Sequence, residues 1–257
     1  MRELIKAFIK YLDCPCRYFK PMTDDTILID AYYKAREQGK REGFVPVIVV
    51  VDESLWETLI INSGEVEDSD WDEDYVFDAS KVDTYRKKML EMSIEFGKKD
   101  EEPYFVKKYH DEAKGNIVNW NTKICGGEVN NYFDGYWKYD RKNTYPLILA
   151  EIPVKHSWEI FSYLPFGNWN DCPDTFELMA VAKYWYEQYG AVPAIISSDT
   201  LEFCVSYQVN IEHAMKLAVE QYGFCHYVME KYFDKEFYIG KLADSLTQSR
   251  VWYFWWD

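Results

Sequence analysis

Five consecutive aromatic residues stand near the end of the chain, in the segment RVWYFWWD (250–257). Side chains of an extended strand alternate between two faces. The faces would carry Trp252, Phe254 and Trp256 on one side and Val251, Tyr253 and Trp255 on the other. Both faces are apolar, which is typical of a strand in the interior of a sheet. We therefore expect a buried interior strand that delivers Asp257 to the edge of the sheet.

A second strand pattern occurs twice, in GFVPVIVVVD (43–52) and GAVPAIISSD (190–199). Both segments follow predicted helices, and Gly43 and Gly190 are expected to end those helices. The shared pattern indicates either a duplicated helix–strand unit or the common preference of helix-to-strand junctions for Gly and Pro.

The order of helical and strand-like segments predicts an α/β fold, with α+β as the alternative. We expect a mixed β-sheet with helices on both faces and a small antiparallel meander over 116–140, where Gly-Gly and Asp-Gly pairs are hairpin signals. Three regions are predicted: an N-terminal α/β unit (1–62), a connector with an acidic loop, a helix and the meander (63–145), and a C-terminal α/β domain (146–257).

The formal net charge of −15 limits the partners of this chain. A negative field repels phosphate backbones, so nucleic acid is an unlikely partner and a basic protein is a suitable one. No apolar run is long enough to span a bilayer, so no membrane partner is expected. The sequence predicts no cofactor, and it does not indicate which small molecule, if any, would bind.

Cysteine usage favours a reducing compartment. The first residues lack the continuous apolar core of a signal peptide, so the six cysteines are expected to be reduced thiols in a cytoplasmic protein. Cys14 and Cys16 are the only close pair, and their spacing is not that of a usual zinc site.

The segment DSDWDED (68–74) places Asp68, Asp70 and Asp72 like the first half of a calcium loop. Glu73 stands where the loop requires Gly, and Ala79 where a bidentate Glu belongs, so an EF-hand is excluded. A weak cation site, a solvated acidic loop and a contact surface for a basic partner remain open.

Catalytic motifs give little support for an enzyme. Neither a G-x-S-x-G elbow nor an H-E-x-x-H motif is present. Cys172 precedes Pro173 near a helix start, where backbone N–H groups could lower a thiol pKa. It is interpreted either as a nucleophile paired with His213 or His226, or as a structural thiol packed under the turn.

Three carboxylates follow strand-like segments: Asp52, Asp199 and Asp257. Ligand sites of open α/β sheets lie beyond the carboxyl ends of parallel strands, so these residues would converge if their strands are parallel and adjacent. Asp52 and Asp199 equally suit a helix cap or a turn. The remaining candidate pocket or contact residues are Trp169, Asn170, Asp171 and Cys172.

The C-terminal part resembles the bacterial family known as domain of unknown function 4253. The motifs are LPFGNWNDCP (164–173), YWYEQYGAVP (184–193), LAVEQYGFC (217–225) and VWYFWWD (251–257). Relatives commonly have Cys-Pro-Asp where this chain has Cys225-His226-Tyr227. The resemblance implies a soluble bacterial α/β domain and supplies no catalytic residues.

Two functional hypotheses follow. The acidic charge and the many Tyr and Trp residues favour a non-enzymatic protein-interaction module, of which an immunity-type protein is one form. The alternative is a small-molecule or divalent-metal-dependent enzyme with its site at the strand-end carboxylates.

Overall fold

The computed structural model describes residues 1–64, 77–94, 104–116, 121–228 and 238–257. The candidate cation ligands Asp68, Asp70 and Asp72 lie outside the described residues, and the acidic loop therefore stays a prediction.

In the described residues, six strands form one mixed sheet in the order β1-β3-β2-β4-β5-β6. The strands are β1 (Cys16–Phe19), β2 (Val45–Val50), β3 (Leu147–Ile152), β4 (Val192–Ile196), β5 (Thr200–Cys204) and β6 (Val251–Trp255). β2 and β4 are parallel, whereas the other neighbouring pairs are antiparallel. The predicted α/β class with a mixed sheet is confirmed.

The described residues form eight α-helices and one 3-10 helix, and some of their ends coincide with capping residues in the sequence. They are α1 (Arg2–Leu12), α2 (Thr26–Glu42), α3 (Glu53–Ser63), α4 (Ala79–Ile94), α5 (Tyr104–Asn116), a 3-10 helix (Ser157–Ser162), α6 (Thr175–Tyr189), α7 (Ile211–Phe224) and α8 (Ile239–Gln248). Asp52 caps α3 by accepting a 2.8 Å hydrogen bond from the Leu55 amide. Gly43 ends α2 in the left-handed conformation, with φ 83°.

Helices cover both faces of the sheet, as predicted. On one face α2 packs with Phe133 and Tyr136 over a small core that includes Ile48 and Ile195. The other face carries the larger core, formed by α1, α3 to α8 and the 3-10 helix over side chains such as Val49. Alternate residues of β2 and β3 thus belong to different cores.

The two similar segments lie side by side in the sheet. Ile48 pairs with Ile195 and Val49 with Ile196, which are equivalent positions of the repeated pattern. The preceding helices nevertheless lie on opposite faces, α2 over the smaller core and α6 over the larger. The correspondence therefore does not extend to the positions of the preceding helices.

The prediction of a meander over 116–140 is wrong for the described part of that segment, because residues 121–140 contain no β-strand. A single bridge joins Trp137 to Thr144. Backbone amides of this segment bond instead to side chains elsewhere: Gly127 N–H donates to Asp244 over 2.8 Å and Asn130 N–H to Ser249 over 2.8 Å. These partners satisfy the backbone without a neighbouring strand.

The prediction of an interior position for the aromatic strand is also wrong, because β6 is the last strand of the sheet and pairs with β5. The predicted alternation is present: Trp252, Phe254 and Trp256 are buried in the larger core, whereas Tyr253 and Trp255 are half-buried. A loop residue covers the open edge, since Asn130 bonds both the N–H and the C=O of Val251 over 3.1 Å. Large aromatic side chains reach enough neighbours to bury one face without a second flanking strand.

Candidate functional site

A cleft of about 510 Å³ opens at the edge of the sheet where β2 and β4 end. We name it the acid–aromatic cleft, after the residues that line it: Asp52, Asp134, Trp137, Lys138, Arg141, Tyr145, Asp199, Tyr253 and Trp255. The carboxyl ends of neighbouring parallel strands are the usual position of a ligand site in an α/β sheet.

Asp52 and Asp199 enter the cleft because each lies two or three residues after the end of one of the two parallel strands. Asp199 Oδ1 accepts hydrogen bonds from Ser197 Oγ at 2.8 Å and Thr200 Oγ1 at 2.9 Å. Its Oδ2 accepts from the indole N–H of Trp255 at 3.2 Å. Within the described ranges, neither Asp52 nor Asp199 pairs with a cationic side chain.

Burial raises the pKa of Asp52 above its ordinary value. The hydrogen bond from the Leu55 amide offsets part of this effect, and the negative charge of Asp199 adds to it. The negative charge of Asp199 thus disfavours the ionised form of Asp52. A bound cation would relieve this repulsion.

A buried carboxylate fixes the opposite wall of the cleft. Glu202 on β5 is 0% exposed and accepts hydrogen bonds from the backbone amides of Asp134 at 3.0 Å and Gly135 at 3.2 Å. A Cβ on Gly135 would lie 2.6 Å from Thr200 Cγ2, so a glycine is required for this approach. On the same wall, Arg141 Nη2 pairs with Asp134 Oδ2 at 2.6 Å.

A second cavity, of about 720 Å³, lies at the same edge but towards the larger core. We name it the Glu177 cavity; its lining includes Lys108, Tyr109, Asn170, Asp171, Cys172, Glu177, His226 and Trp256. β6 separates the two openings, because Trp255 lines the cleft and the next residue lines the cavity.

Glu177 is the most buried carboxylate of this cavity, at 9% exposure. The Tyr109 hydroxyl donates a hydrogen bond to Glu177 Oε1, and Lys108 Nζ lies 3.9 Å from the same oxygen. Burial raises the pKa of Glu177 despite these two stabilising contacts. A carboxyl group in this state can hold or release a proton closer to neutral pH than an exposed one.

Cys172 lies on the wall of the Glu177 cavity with 4% of its surface exposed. Burial raises the pKa of its thiol, and the nearby Cys225 and Glu177 add to the rise. The position near a helix start does not overcome this desolvation. The environment therefore agrees with the structural-thiol alternative.

The loop before α6 is a tight turn. Cys172 N–H donates to the Trp169 carbonyl over 2.9 Å, and Asn170 adopts a left-handed conformation with φ 44°. Asn170 Nδ2 donates to the backbone carbonyl of Asp257 over 2.7 Å. The loop thus holds the end of the chain between the two openings.

The structure divides the candidate residues between two places. Asp52 and Asp199 line the acid–aromatic cleft, whereas Asn170, Asp171 and Cys172 line the Glu177 cavity. Trp169 is half-buried beside Phe166, and Asp257 is exposed at its contact with Asn170.

Sequence reasoning missed Asp134, Glu202 and Glu177 as parts of a site. The Asp-Gly pair at 134–135 is a hairpin signal in the sequence, and Glu177 lies in a helical segment with no motif that indicates a site. Glu202 gave no signal, since a carboxylate within a strand normally faces solvent. Among the residues that the structure describes, no group of three or more His, Cys, Asp and Glu side chains is arranged to hold a metal ion.

Residues 148–257 match the family model of the domain of unknown function DUF4253. This match confirms the resemblance of the C-terminal part of the chain to that family. No curated protein and no solved structure matches the chain. In the described ranges, no helix is both long and apolar enough to cross a membrane.

The DUF4253 match covers only one side of the acid–aromatic cleft. Asp199 and Trp255 belong to the matched residues, whereas Asp52, Asp134 and Arg141 precede them. The Glu177 cavity is likewise shared, since Lys108 and Tyr109 come from α5. Both openings therefore combine residues within the DUF4253 match with residues that precede it.

Proposed function

We propose that the protein is a non-enzymatic interaction module that takes a basic side chain of a partner protein into the acid–aromatic cleft. The observation that carries this proposal is the convergence of Asp52 and Asp199, which the described residues leave without a cationic partner. A lysine or arginine side chain would supply the missing charge through charge-assisted hydrogen bonds.

The walls of the cleft suit the rest of such a side chain. Aromatic rings accept the methylene groups of a long basic side chain and attract its charge through their faces. Trp137, Tyr145, Tyr253 and Trp255 provide these surfaces. Tyrosine and tryptophan are also enriched among residues that dominate the energy of protein interfaces.

The net charge of −15 supports a basic partner. A field of this sign speeds the encounter with a positively charged protein and suppresses contact with acidic ones. An immunity-type protein that neutralises a basic toxin would use the cleft in this way.

Differential capture tests the proposal. Wild-type protein, the double variant D52N/D199N and the control D30N serve as baits in a lysate of the native host. Asp30 is exposed on α2, so D30N removes a carboxylate away from the cleft. We expect a basic protein that wild type and D30N retain and D52N/D199N loses. Equal retention by the double variant, or no retained protein, contradicts the proposal.

The alternative is a divalent-metal-dependent or small-molecule enzyme at the same carboxylates. The observation in its favour is that burial and a second carboxylate raise the pKa of Asp52, as at many catalytic sites. Thermal unfolding with Mg²⁺, Mn²⁺ or Ca²⁺ distinguishes the two functions. A ligand at about 100 times its Kd stabilises a protein by about 2.7 kcal/mol, so a real site raises the melting temperature of wild type and not of D52N/D199N.

A further inference from the structure

We infer that the basic side chain that enters the acid–aromatic cleft belongs to the C-terminal residue of the partner protein, whose free carboxylate binds Lys138. This inference rests on the proposed function and adds a second charged group to the ligand. Its basis is the charge that the cleft retains beside its internal ion pair.

The charges that line the cleft do not all compensate each other. Five charged side chains of the described residues line it: Asp52, Asp134, Lys138, Arg141 and Asp199. Arg141 Nη2 lies 2.6 Å from Asp134 Oδ2, so these two charges form an ion pair. Two carboxylates and one ammonium group remain. A ligand that matches them carries both a cation and an anion, because a basic side chain alone leaves Lys138 without an opposite charge.

Lys138 stands at the start of a tight turn on the wall of the cleft. Its N–H donates a 3.0 Å hydrogen bond to the Asn143 carbonyl, and its carbonyl accepts a 2.8 Å hydrogen bond from the Arg141 amide. The bridge between Trp137 and Thr144 closes the base of the turn. The backbone on both sides of Lys138 is therefore already fixed in the free protein.

The ammonium group of Lys138 is available to an anion. Its Nζ lies over the ring of Tyr145, 5.8 Å from the centroid, and this ring lines the same cleft. Within the described part of the chain, Lys138 has no carboxylate partner, and the residue is exposed. An ammonium group has three N–H donors, and a ring contact engages only one side of it. A carboxylate can thus bind Lys138 through charge-assisted hydrogen bonds without displacing another group.

The cation of the ligand has its own place in the cleft. Asp52 and Asp199 follow the parallel strands β2 and β4, whereas Lys138 belongs to the segment before β3. In the ranges that the structure describes, Lys138 pairs with neither of these carboxylates. The cleft therefore offers separate positions for a positive and a negative group of one ligand.

A C-terminal arginine or lysine carries both charges on one residue. Two separate side chains would each have to be ordered on binding, at a greater cost in conformational entropy. The cleft volume of about 510 Å³ lies within the range of about 300–1,000 Å³ that is usual for pockets that enclose a small ligand. Tyr139 lines the cleft and is fully exposed, so the preceding residues of the partner can continue into solvent. Capture of a C-terminal carboxylate is a recurring mode of peptide recognition.

Titrations of the full chain test this inference, with the indole N–H signal of Trp255 in ¹H–¹⁵N spectra as the readout, since Trp255 lines the cleft. N-acetyl-arginine carries both charges, and N-acetyl-arginine methylamide carries the cation alone. We expect N-acetyl-arginine to bind about fivefold more tightly, which corresponds to about 1 kcal/mol, the upper value for an exposed ion pair.

A short peptide distinguishes a partner's C-terminus from a free amino acid. Acetyl-Ala-Ala-Arg with a free C-terminus should bind at least as tightly as N-acetyl-arginine, because the residues before the arginine leave the cleft. Weaker binding of the peptide would assign the cleft to a free amino acid and would overturn the inference.

Single variants test the role of Lys138. K138Q should bind the two arginine ligands equally, because the group that distinguishes them is gone. K142Q is the matched control: Lys142 is exposed next to Arg141 but does not line the cleft, so the fivefold preference should remain. Equal affinities in wild type, or a preference that persists in K138Q, overturn the inference and leave the proposed function intact. If neither ligand shifts the Trp255 signal of wild type, the proposed function fails and this inference fails with it.

Discussion

The indole N–H of Trp255 donates a 3.2 Å hydrogen bond to Oδ2 of Asp199, so the aromatic strand reaches directly into the acid–aromatic cleft. The same strand places Phe254, one residue earlier, in the centre of the larger core. Core packing and the proposed contact with a ligand thus belong to alternate residues of β6. A single substitution at one of these residues therefore tests one role without removing the side chain that serves the other.

Phe254→Ala should destabilise the fold by about 3–5 kcal/mol, the usual cost of removing a buried aromatic ring. Phe254 stacks on Trp185 with ring centroids 5.4 Å apart and meets Phe224 edge-on at 5.0 Å. Urea unfolding followed by circular dichroism measures the loss. Trp255→Ala, on the half-buried face, is the matched control and should cost less; equal losses would contradict the assignment of the two faces.

Glu202→Gln should destabilise the fold by about 1–3 kcal/mol, since one acceptor oxygen is replaced by a donor beside backbone donors. The amides of Asp134 and Gly135 would lose part of their hydrogen bonding. Chemical denaturation gives the free energy of unfolding, with Glu212→Gln on the exposed side of α7 as the control. If both variants unfold at the same denaturant concentration as wild type, Glu202 does not fix the wall of the cleft.

Affinity for a basic partner should fall as the pH falls through the raised pKa of Asp52, because the protonated carboxyl group no longer pairs with a cation. The fall should begin at a higher pH than an ordinary aspartate would give, since burial raises this pKa. Calorimetric titration of the captured partner at a series of pH values measures the effect. D52N should bind the partner weakly, and its affinity should no longer fall in this pH range. If the affinity of D52N depends on pH as that of wild type does, a group other than Asp52 causes the dependence.

Glu177 should make the stability of the protein fall as the pH rises. Its pKa is raised in the folded state, so the folded protein binds more protons than the unfolded chain between the ordinary and the raised pKa. The stability that protonated Glu177 contributes is therefore fully present below the ordinary pKa of a glutamate. It is lost as the pH rises through the raised pKa of Glu177 in the folded protein. Glu177→Gln should match wild type near the acidic limit and gain relative stability towards neutral pH, as measured by thermal unfolding. A constant difference across the series would refute the raised pKa.

The sequence predicts the centre of this fold well because local signals agree there with the tertiary structure. Asp52 suits a helix cap and caps α3, and Gly43 and Gly190 end the helices before β2 and β4. The apolar runs of β2 and β4 identify buried neighbours, and two parallel neighbours bring Asp52 and Asp199 to one edge. The parallel direction of β2 and β4 therefore explains why the sequence could place Asp52 and Asp199 in one site.

The rest depends on contacts between distant residues. Asp134 reaches the cleft because Glu202, 68 positions away, binds its amide. Two aromatic faces suggested an interior strand, yet Asn130 covers the edge of β6 and no further strand is needed. The division of the candidate residues between two openings likewise follows from the position of β6, which no local pattern specifies.

The indole resonance of Trp255 tests the central proposal most directly. In ¹H–¹⁵N spectra of the folded protein, titration with N-acetyl-arginine methylamide should shift the Trp255 indole signal, because a cation at Asp199 changes the charge that this N–H group meets. The Trp252 indole, buried in the larger core, should not move. N-acetyl-glutamine methylamide is the neutral control ligand, and D52N/D199N is the control variant. A saturable shift of Trp255 with the arginine ligand alone, abolished in the double variant, is the predicted result; no shift, or the same shift with both ligands, would contradict the proposal that the cleft binds a basic side chain.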